Sequence, residues 1–305
     1  VAWHVKLMSL KFLGGSNGKG STSNAVKAVR YVIDQKNRGT NVRVINASWG
    51  GGGLSLSLRD AIAEAGAAGI VFVCAAGNEG EDNDETPDYP ASFALSLNNV
   101  ISVASINAGD NVSDFSNFGH ASVSVAAPGS GIISTIPNNN YAASNGTSMS
   151  SPHVAGIAAL VLSNEPSLTA AQVRDRIIST AEPIPALASK VVASGRANAY
   201  NALANRVPPS LGPVIERVTI SKKKLTIDGL GFMSGSSVIE VNGVPAVNVS
   251  YDDSFAIANG TITRLRSEPG KKVIKRVFPV GVFVGITIFN PTTGQRSARF
   301  NAARF

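Results

Sequence analysis

The segment Asn145-Gly146-Thr147-Ser148-Met149-Ser150-Ser151-Pro152-His153-Val154-Ala155-Gly156 places a serine just after a glycine, at the head of an apolar run. That run continues through Ile157, Ala158, Leu160 and Val161 and predicts a long helix starting near Thr147. A hydroxyl in the first turn of a helix lies among backbone N–H groups that have no intrahelical acceptor, at the positive end of the helix dipole. Those groups can stabilise negative charge on a carbonyl oxygen attacked by that hydroxyl. Gly146 lets a substrate backbone come close, and the small Ala155 and Gly156 let the helix pack into a sheet. Ser148 as an ordinary helix cap accounts for the serine but not for the whole segment.

A serine nucleophile needs a base to take its proton, and the base needs an orienting acid. The chain has three histidines. His4 falls in a predicted opening strand, and His120 follows a predicted surface loop. His153 lies five positions beyond Ser148 on the same predicted helix, about 140° round at ~100° per residue, so it points elsewhere. None of the three is expected to be the base.

The elements that position Ser148 alternate. His4–Leu13 reads as a strand with Val5, Leu7, Leu10 and Phe12 apolar. A helix opens at Ser23-Asn24, carries Val26, Val29, Val32 and Ile33 on one stripe, and ends at Arg38-Gly39. Strands follow at 42–47, 70–75 and 100–105, with a helix over 56–68 between the first two. Ser167-Leu168-Thr169 caps a last helix running to about Thr180. Strand, helix, strand, helix, strand predicts a parallel α/β sheet with right-handed crossovers. Cys74, the single cysteine, sits inside one of the apolar strands, so a buried, inert thiol is expected and no internal disulfide can form.

The Asn145–Gly156 segment resembles the nucleophile motif of the subtilase (peptidase S8) family, and the resemblance runs almost continuously over residues 1–205. It implies a subtilisin-like domain over 1–207. Ser48-Trp49-Gly50-Gly51 is similar to the family segment that walls the primary specificity pocket and pairs with substrate. Ala75-Ala76-Gly77-Asn78 is similar to the segment that carries the oxyanion-hole asparagine, which makes Asn78 the implied donor. Tyr89-Pro90-Ala91-Ser92, Phe115-Ser116-Asn117-Phe118-Gly119, Ala126-Ala127-Pro128-Gly129 and Gly195-Arg196-Ala197-Asn198-Ala199 also resemble family stretches. In that family the catalytic order is Asp, His, Ser, with the His in a His-Gly-Thr-His helix. This sequence has no such segment, and Val1–Leu13 resembles the strand that follows it. The domain is therefore expected to be incomplete at its N-terminus, a piece of a longer product, and Ser148 to be poorly activated in this chain alone.

Glu79, Glu81, Asp82, Asp84, Glu85 and Asp88 crowd one loop. Family resemblance makes structural calcium conceivable there, but the spacing fits no defined calcium loop, and a solvated acidic loop is the preferred reading. The chemistry requires no cofactor or metal. By resemblance the pocket is expected to prefer apolar side chains, with Glu79 at its rim able to favour basic ones.

The charge is uneven. Residues 1–207 hold 14 basic and 14 acidic residues, whereas residues 208–305 hold 13 and 6 and account for the whole net charge of +7. The break coincides with Val207-Pro208-Pro209-Ser210. Beyond it short strands predominate, with Asn242-Gly243 as a hairpin signal. A separate small all-β sandwich is predicted over 208–305. Pro213–Ile215, Leu225–Gly229, Phe232 and Val238–Gly243 resemble the IPT/TIG immunoglobulin-like family, whose modules bind or space. Its basic residues, including Lys222, Lys223, Lys224, Lys271, Lys272, Lys275 and Arg276, either form a solvated surface or attach the protein to an anionic one; nucleic acid is not the expected partner. No run of ~18 apolar residues predicts a membrane span. The implied function is a secreted or cell-surface serine endopeptidase acting on proteins and peptides. The alternative is an inactive peptide- or surface-binding protein derived from a protease.

Overall fold

Val71, Phe72, Val73, Cys74 and Ala75 are all buried, so the strand they form must be covered on both faces. Successive side chains point to opposite sides of a strand, and here they feed two different cores. Val71 and Val73 join Ile101, Val103, Val125, Val154, Ile157 and Val161. Phe72 and Cys74 join Val29, Val32, Leu58, Ile62 and Phe93. Each fully buried aliphatic or aromatic side chain contributes about 1.5–3 kcal/mol.

The computed structural model describes residues 1–14, 18–208, 212–233, 236–246, 249–251, 256–257, 261–290, 295–297 and 300–304. The chain divides into two units, Val1–Pro209 and Ser210–Phe305. In chain order the first holds α1 (Thr22–Asn37), β1 (Val44–Ala47), α2 (Leu56–Ala67), β2 (Val71–Ala75), β3 (Val100–Ile106), β4 (Val125–Pro128), β5 (Ile132–Ile136), β6 (Asn140–Ser144), α3 (Thr147–Asn164), α4 (Ala170–Ser179), β7 (Glu182–Pro183), β8 (Gly195–Arg196) and α5 (Ala199–Ala204). The main sheet has the order β1-β2-β3-β4-β8-β7. Its first five strands are parallel, and β7 is antiparallel to β8. Helices α1 and α2 cover one face, and α3 and α4 the other. Local signals set the helix ends: Ser21 caps α1, Ser55 caps α2, and Thr169 forms a capping box with Gln172 on α4.

The strand predicted over His4–Leu13 does not form. Val5–Leu13 has no ladder partner among the described residues, and Trp3 and Leu7 are each 92% exposed. Apolar alternation makes a strand only where an edge supplies hydrogen bonds, and among the described residues the nearest bridge is the isolated Gly14–Lys19 pair just beyond this segment. Leu10 and Phe12 still pack on the core, Phe12 edge-on to Trp49 at 5.1 Å. β5 and β6 pair as an antiparallel hairpin just before α3.

The second unit has two antiparallel sheets. One joins β9 (Val214–Ile220), β10 (Leu225–Met233), β13 (Val249–Tyr251), β14 (Ala256–Ile257) and β15 (Thr261–Ser267). The other joins β11 (Val238–Val241), β12 (Val244–Pro245), β16 (Val284–Asn290), β17 (Gln295–Arg296) and β18 (Phe300–Ala302). Asn242-Gly243 makes the two-residue turn between β11 and β12. Leu225, Ile227 and Leu265 from one sheet meet Ile239, Ile286 and Ile288 from the other in a single core. The unit is not all-β. A short helix, α6 (Lys271–Val277), seals that core with Ile274, and Phe278 just beyond it is buried there too. Its apolar pair was too brief to stand out against the lysines around it.

Cys74 is fully buried, and burial pushes its thiol pKa well above the ordinary range. Iodoacetamide is expected to leave it unmodified in the native protein and to label it in 6–8 M urea or guanidinium; rapid native labelling, read by intact mass, would contradict this placement.

Candidate active site

Ser148 is the second residue of α3. The helix is capped by Gly146 at φ 153°, ψ 155°, a conformation almost confined to glycine. The Ser148 N–H has no acceptor among the described residues, as the first turn of a helix requires. Its hydroxyl donates to the Ser48 carbonyl at 3.3 Å.

Pro152 explains a second bond to Ser48. It stands four residues beyond Ser148, where an ordinary residue would donate its N–H to the Ser148 carbonyl. The Ser48 hydroxyl donates to that carbonyl instead, at 2.8 Å. The connection extends along the end of β1. Asn46 Nδ2 donates to Ser48 Oγ at 3.0 Å, and Ser151 Oγ donates to Asn46 Oδ1 at 2.7 Å. Ser150 Oγ ties the same turn to β4 through the Ala127 carbonyl at 3.0 Å.

Asn78 follows the end of β2 and faces the same helix end. Its Oδ1 accepts from the Thr147 N–H at 2.8 Å and lies 3.1 Å from the Thr147 hydroxyl. A backbone N–H can only meet the amide oxygen, so the orientation of Asn78 is fixed. Its Nδ2 has no hydrogen-bond partner among the described residues. The loop that carries Asn78 rests on a buried asparagine pair. Asn117 Oδ1 accepts the N–H groups of Glu79 and Glu81 at 2.8 and 3.2 Å. Asn117 Nδ2 donates to Asn83 Oδ1 at 3.0 Å, and Asn83 Nδ2 donates to the Ala76 carbonyl at 2.8 Å. Gly77 must be glycine: its φ is +117°, and a Cβ there would lie 2.2 Å from Asn117 Nδ2. The resemblance marked the stretch containing Asn117 without giving it a task, and Asn83 looked like any polar loop residue.

A cleft of about 120 Å³ opens beside Ser148, lined by Trp49, Gly50, Gly51, Ala75, Gly77 and Asn78 together with Glu79, Asp88 and Thr147. Of the expected contact residues, Ala76 and Ser48 do not line it. Ala76 alternates away from Ala75 and Gly77 into a core with Ala104, Val123 and Leu187, and Ser48 stands behind as the support of Ser148. Asp88, grouped by sequence with a solvated acidic loop, is half-buried at the cleft and accepts the Gly51 N–H at 3.0 Å. Burial raises its pKa, and the nearby charge of Glu79 adds to the rise.

No histidine is hydrogen-bonded to Ser148 among the described residues. His4 is exposed, and His153 Nδ1 donates to the Met149 carbonyl at 2.8 Å. His120 Nδ1 is buried without a partner in the loop after Gly119. In the acidic loop, as elsewhere among the described residues, no three His, Cys, Asp or Glu side chains converge on one point. Asp84 instead accepts the N–H groups of Ala121 and Ser122, both at 2.9 Å.

The structure thus sets a helix-borne serine beside an oriented amide at the carboxyl ends of parallel strands in an α/β unit. The chain belongs to the subtilase family, whose profile matches residues 1–210. It is 43% identical over 182 residues to Subtilisin DY of Bacillus licheniformis, covering 59% of this chain and 62% of that protein. It is also 43% identical over 167 residues to Subtilisin-like protease 2 of Plasmodium falciparum, covering 53% of this chain and 12% of the relative. The Major intracellular serine protease of Bacillus subtilis is 38% identical over 167 residues, 54% of this chain and 49% of its own length. The chain thus spans less than two thirds of the curated relatives it matches.

Ser48→Ala removes the donor that replaces the missing Pro152 N–H, leaving the Ser148 carbonyl unpaired. A loss of about 1–3 kcal/mol of stability is expected, the usual cost of stranding a buried polar group; urea unfolding of the full chain measures it, and an unchanged midpoint would contradict the role given to Ser48.

Proposed function

We propose that the protein is a serine endopeptidase that cleaves proteins through an acyl-enzyme on Ser148. Peptide lies extended beside Ser48–Gly51 and against Ala75–Gly77. Ser148 Oγ attacks the scissile carbonyl, and Asn78 Nδ2 with the Ser148 N–H holds the resulting oxyanion. The amine leaves with a proton, and water then releases the acyl group from Ser148. One observation supports this: two donors without partners among the described residues, the Asn78 amide and the Ser148 N–H, flank the Ser148 hydroxyl in one cleft. The base and its orienting acid come from a segment outside these 305 residues. The lack of a histidine partner for Ser148 and the greater length of the relatives both favour that view.

The natural full-length product is expected to be labelled by a fluorophosphonate probe at Ser148, mapped by peptide mass. Asn78→Ala is expected to lower turnover about 100- to 1,000-fold, the range known for this donor in subtilisin itself, with little change in KM. A product that neither labels nor cleaves casein would instead be the inactive, protease-derived peptide- or surface-binding protein.

The second unit is proposed as an IPT/TIG-like, immunoglobulin-like module that attaches the enzyme to an anionic surface such as an acidic polysaccharide. One observation favours attachment: the Gly270 N–H donates to the Lys223 carbonyl at 3.3 Å, which brings the 222–224 turn against α6. Lys222, Lys223, Lys271 and Lys272, in these two adjoining segments, are exposed, while Lys224 is paired with Glu268 at 2.6 Å. No described helix is long and apolar enough to cross a membrane, and we place the protein outside the cell or at its surface, as proposed for a protease with such a module. Replacing Lys222, Lys223, Lys271 and Lys272 by Ala is expected to lower the salt concentration that elutes the chain from heparin; unchanged elution would refute the attachment role.

A further inference from the structure

The cleft beside Ser148 carries two carboxylates and no cation. Asp88 and Glu79 both line it, and neither pairs with a Lys, Arg or His among the described residues. Asp88 is pressed against one wall: its Oδ2 lies 2.8 Å from where a Cβ on Gly50 would stand, and its Oδ1 holds the Gly51 N–H. Glu79 closes the other wall. Its Oε2 accepts the Asn78 N–H at 2.7 Å and lies 2.9 Å from where a Cβ on Gly77 would stand. The two glycine-lined walls therefore bring two acids onto one narrow space.

An apolar side chain entering that space would strip water from Asp88 and offer nothing in return, an unfavourable exchange for a half-buried charge. A long side chain with a terminal cation suits it better. Its methylene stem can lie along Trp49 and Ala75, and its head can donate charge-assisted hydrogen bonds to carboxylate oxygens. Ser148 itself lines this cleft, so on the peptidase reading above the side chain that fills it belongs to the residue whose carbonyl Ser148 attacks.

We propose that Asp88, assisted by Glu79, makes this cleft a receptor for the ammonium or guanidinium head of a Lys or Arg side chain, so that cleavage follows a basic residue rather than an apolar one. The identity of the cleaved bond rests on the peptidase reading above; the cation site itself does not. Asp88 is thus a specificity residue, distinct from Ser148 and Asn78.

Two measurements separate the claims. The first is fluorescence titration of the full chain with p-aminobenzamidine, a guanidinium-like probe whose binding needs no catalytic base. Saturable binding is expected, weakened about 10- to 100-fold in Asp88→Asn, as for loss of a hydrogen-bonded charge. Asn retains an oxygen for the Gly51 N–H, and circular dichroism checks that the variant is folded. Absence of saturable binding, or equal affinity in wild type and Asp88→Asn, overturns the proposal. The second is kcat/KM of the full-length product on peptides that differ only in Lys, Arg, Leu or Phe before the cleaved bond. A preference for Lys and Arg that collapses in Asp88→Asn supports the proposal, and a preference for Leu or Phe unaffected by that change overturns it. Asp88-dependent probe binding without fluorophosphonate labelling of the full-length product would keep the cation site and discard the peptidase.

Discussion

Thr147 holds together the two chain segments on which the cleft depends. Its N–H donates to Asn78 Oδ1. Its hydroxyl accepts the Gly77 N–H at 3.3 Å and lies 3.1 Å from both the Gly77 carbonyl and Asn78 Oδ1, so one proton serves two acceptors. The carboxyl end of β2 is thereby fixed against the amino end of α3, within the length of a hydrogen bond. Side chains at Gly77 and Gly146 would disturb that approach, because each adopts a positive φ and the Gly77 position is already filled by Asn117. The resulting arrangement turns one amide so that its oxygen is used structurally and its nitrogen is left for other work. A site that stabilises charge must have its dipoles fixed beforehand, since reorientation during reaction would consume the gain.

The rest of the first unit serves to hold those two ends still. The sheet is covered on both faces, and α3 reaches it through Val154, Ile157, Ala158 and Val161. A helix anchored by its later turns still needs its first turn fixed, and that is where Pro152 matters. The proline removes one internal bond from that turn, and Ser48 supplies a replacement from the end of β1. The first turn of α3, with Ser148 in it, is consequently tied to β1 through Ser48, to β2 through Thr147 and to β4 through Ser150. Segments at or just beyond the ends of β1, β2 and β4, on either side of β3, each contribute one contact, which fixes the first turn of α3 more firmly than helix packing alone would.

Long, strongly periodic elements were legible in the sequence. Helices α1, α3 and α4 and strands β1–β3 lie within a few residues of where pattern and caps put them, because their apolar faces meet partners close by. His4–Leu13 misled for the opposite reason: its alternation is real, but a strand is a relation between two segments, and among the described residues no edge receives this one. Residue types and likeness to a family single out the Ser148 and Asn78 segments, and the fold brings the two together. The supports were not. Asn83 and Asn117 lie 34 residues apart and become partners only through folding, and nothing local distinguishes a buried asparagine from a loop asparagine. Ala76 shows the same limit in reverse, since a motif names consecutive residues while a strand presents alternate ones.

Asp88 shows how far context decides what a charged residue does. Within the acidic run 79–88 it differs from its neighbours in no chemical respect. Asp84 is satisfied by backbone N–H groups of the 121–122 turn, and its charge is accommodated locally. Asp88 is carried instead against Gly50 and Gly51, where it accepts a bond on one oxygen and meets a second carboxylate across a narrow space. Burial and Glu79 both disfavour its ionised form, so the free protein bears an electrostatic cost at that position. Such a cost is relieved by a cation that arrives from outside, and the cleft has room beside Ser148 for one to arrive. The structural burden and the proposed selectivity are therefore the same interaction, seen before and after a substrate is bound.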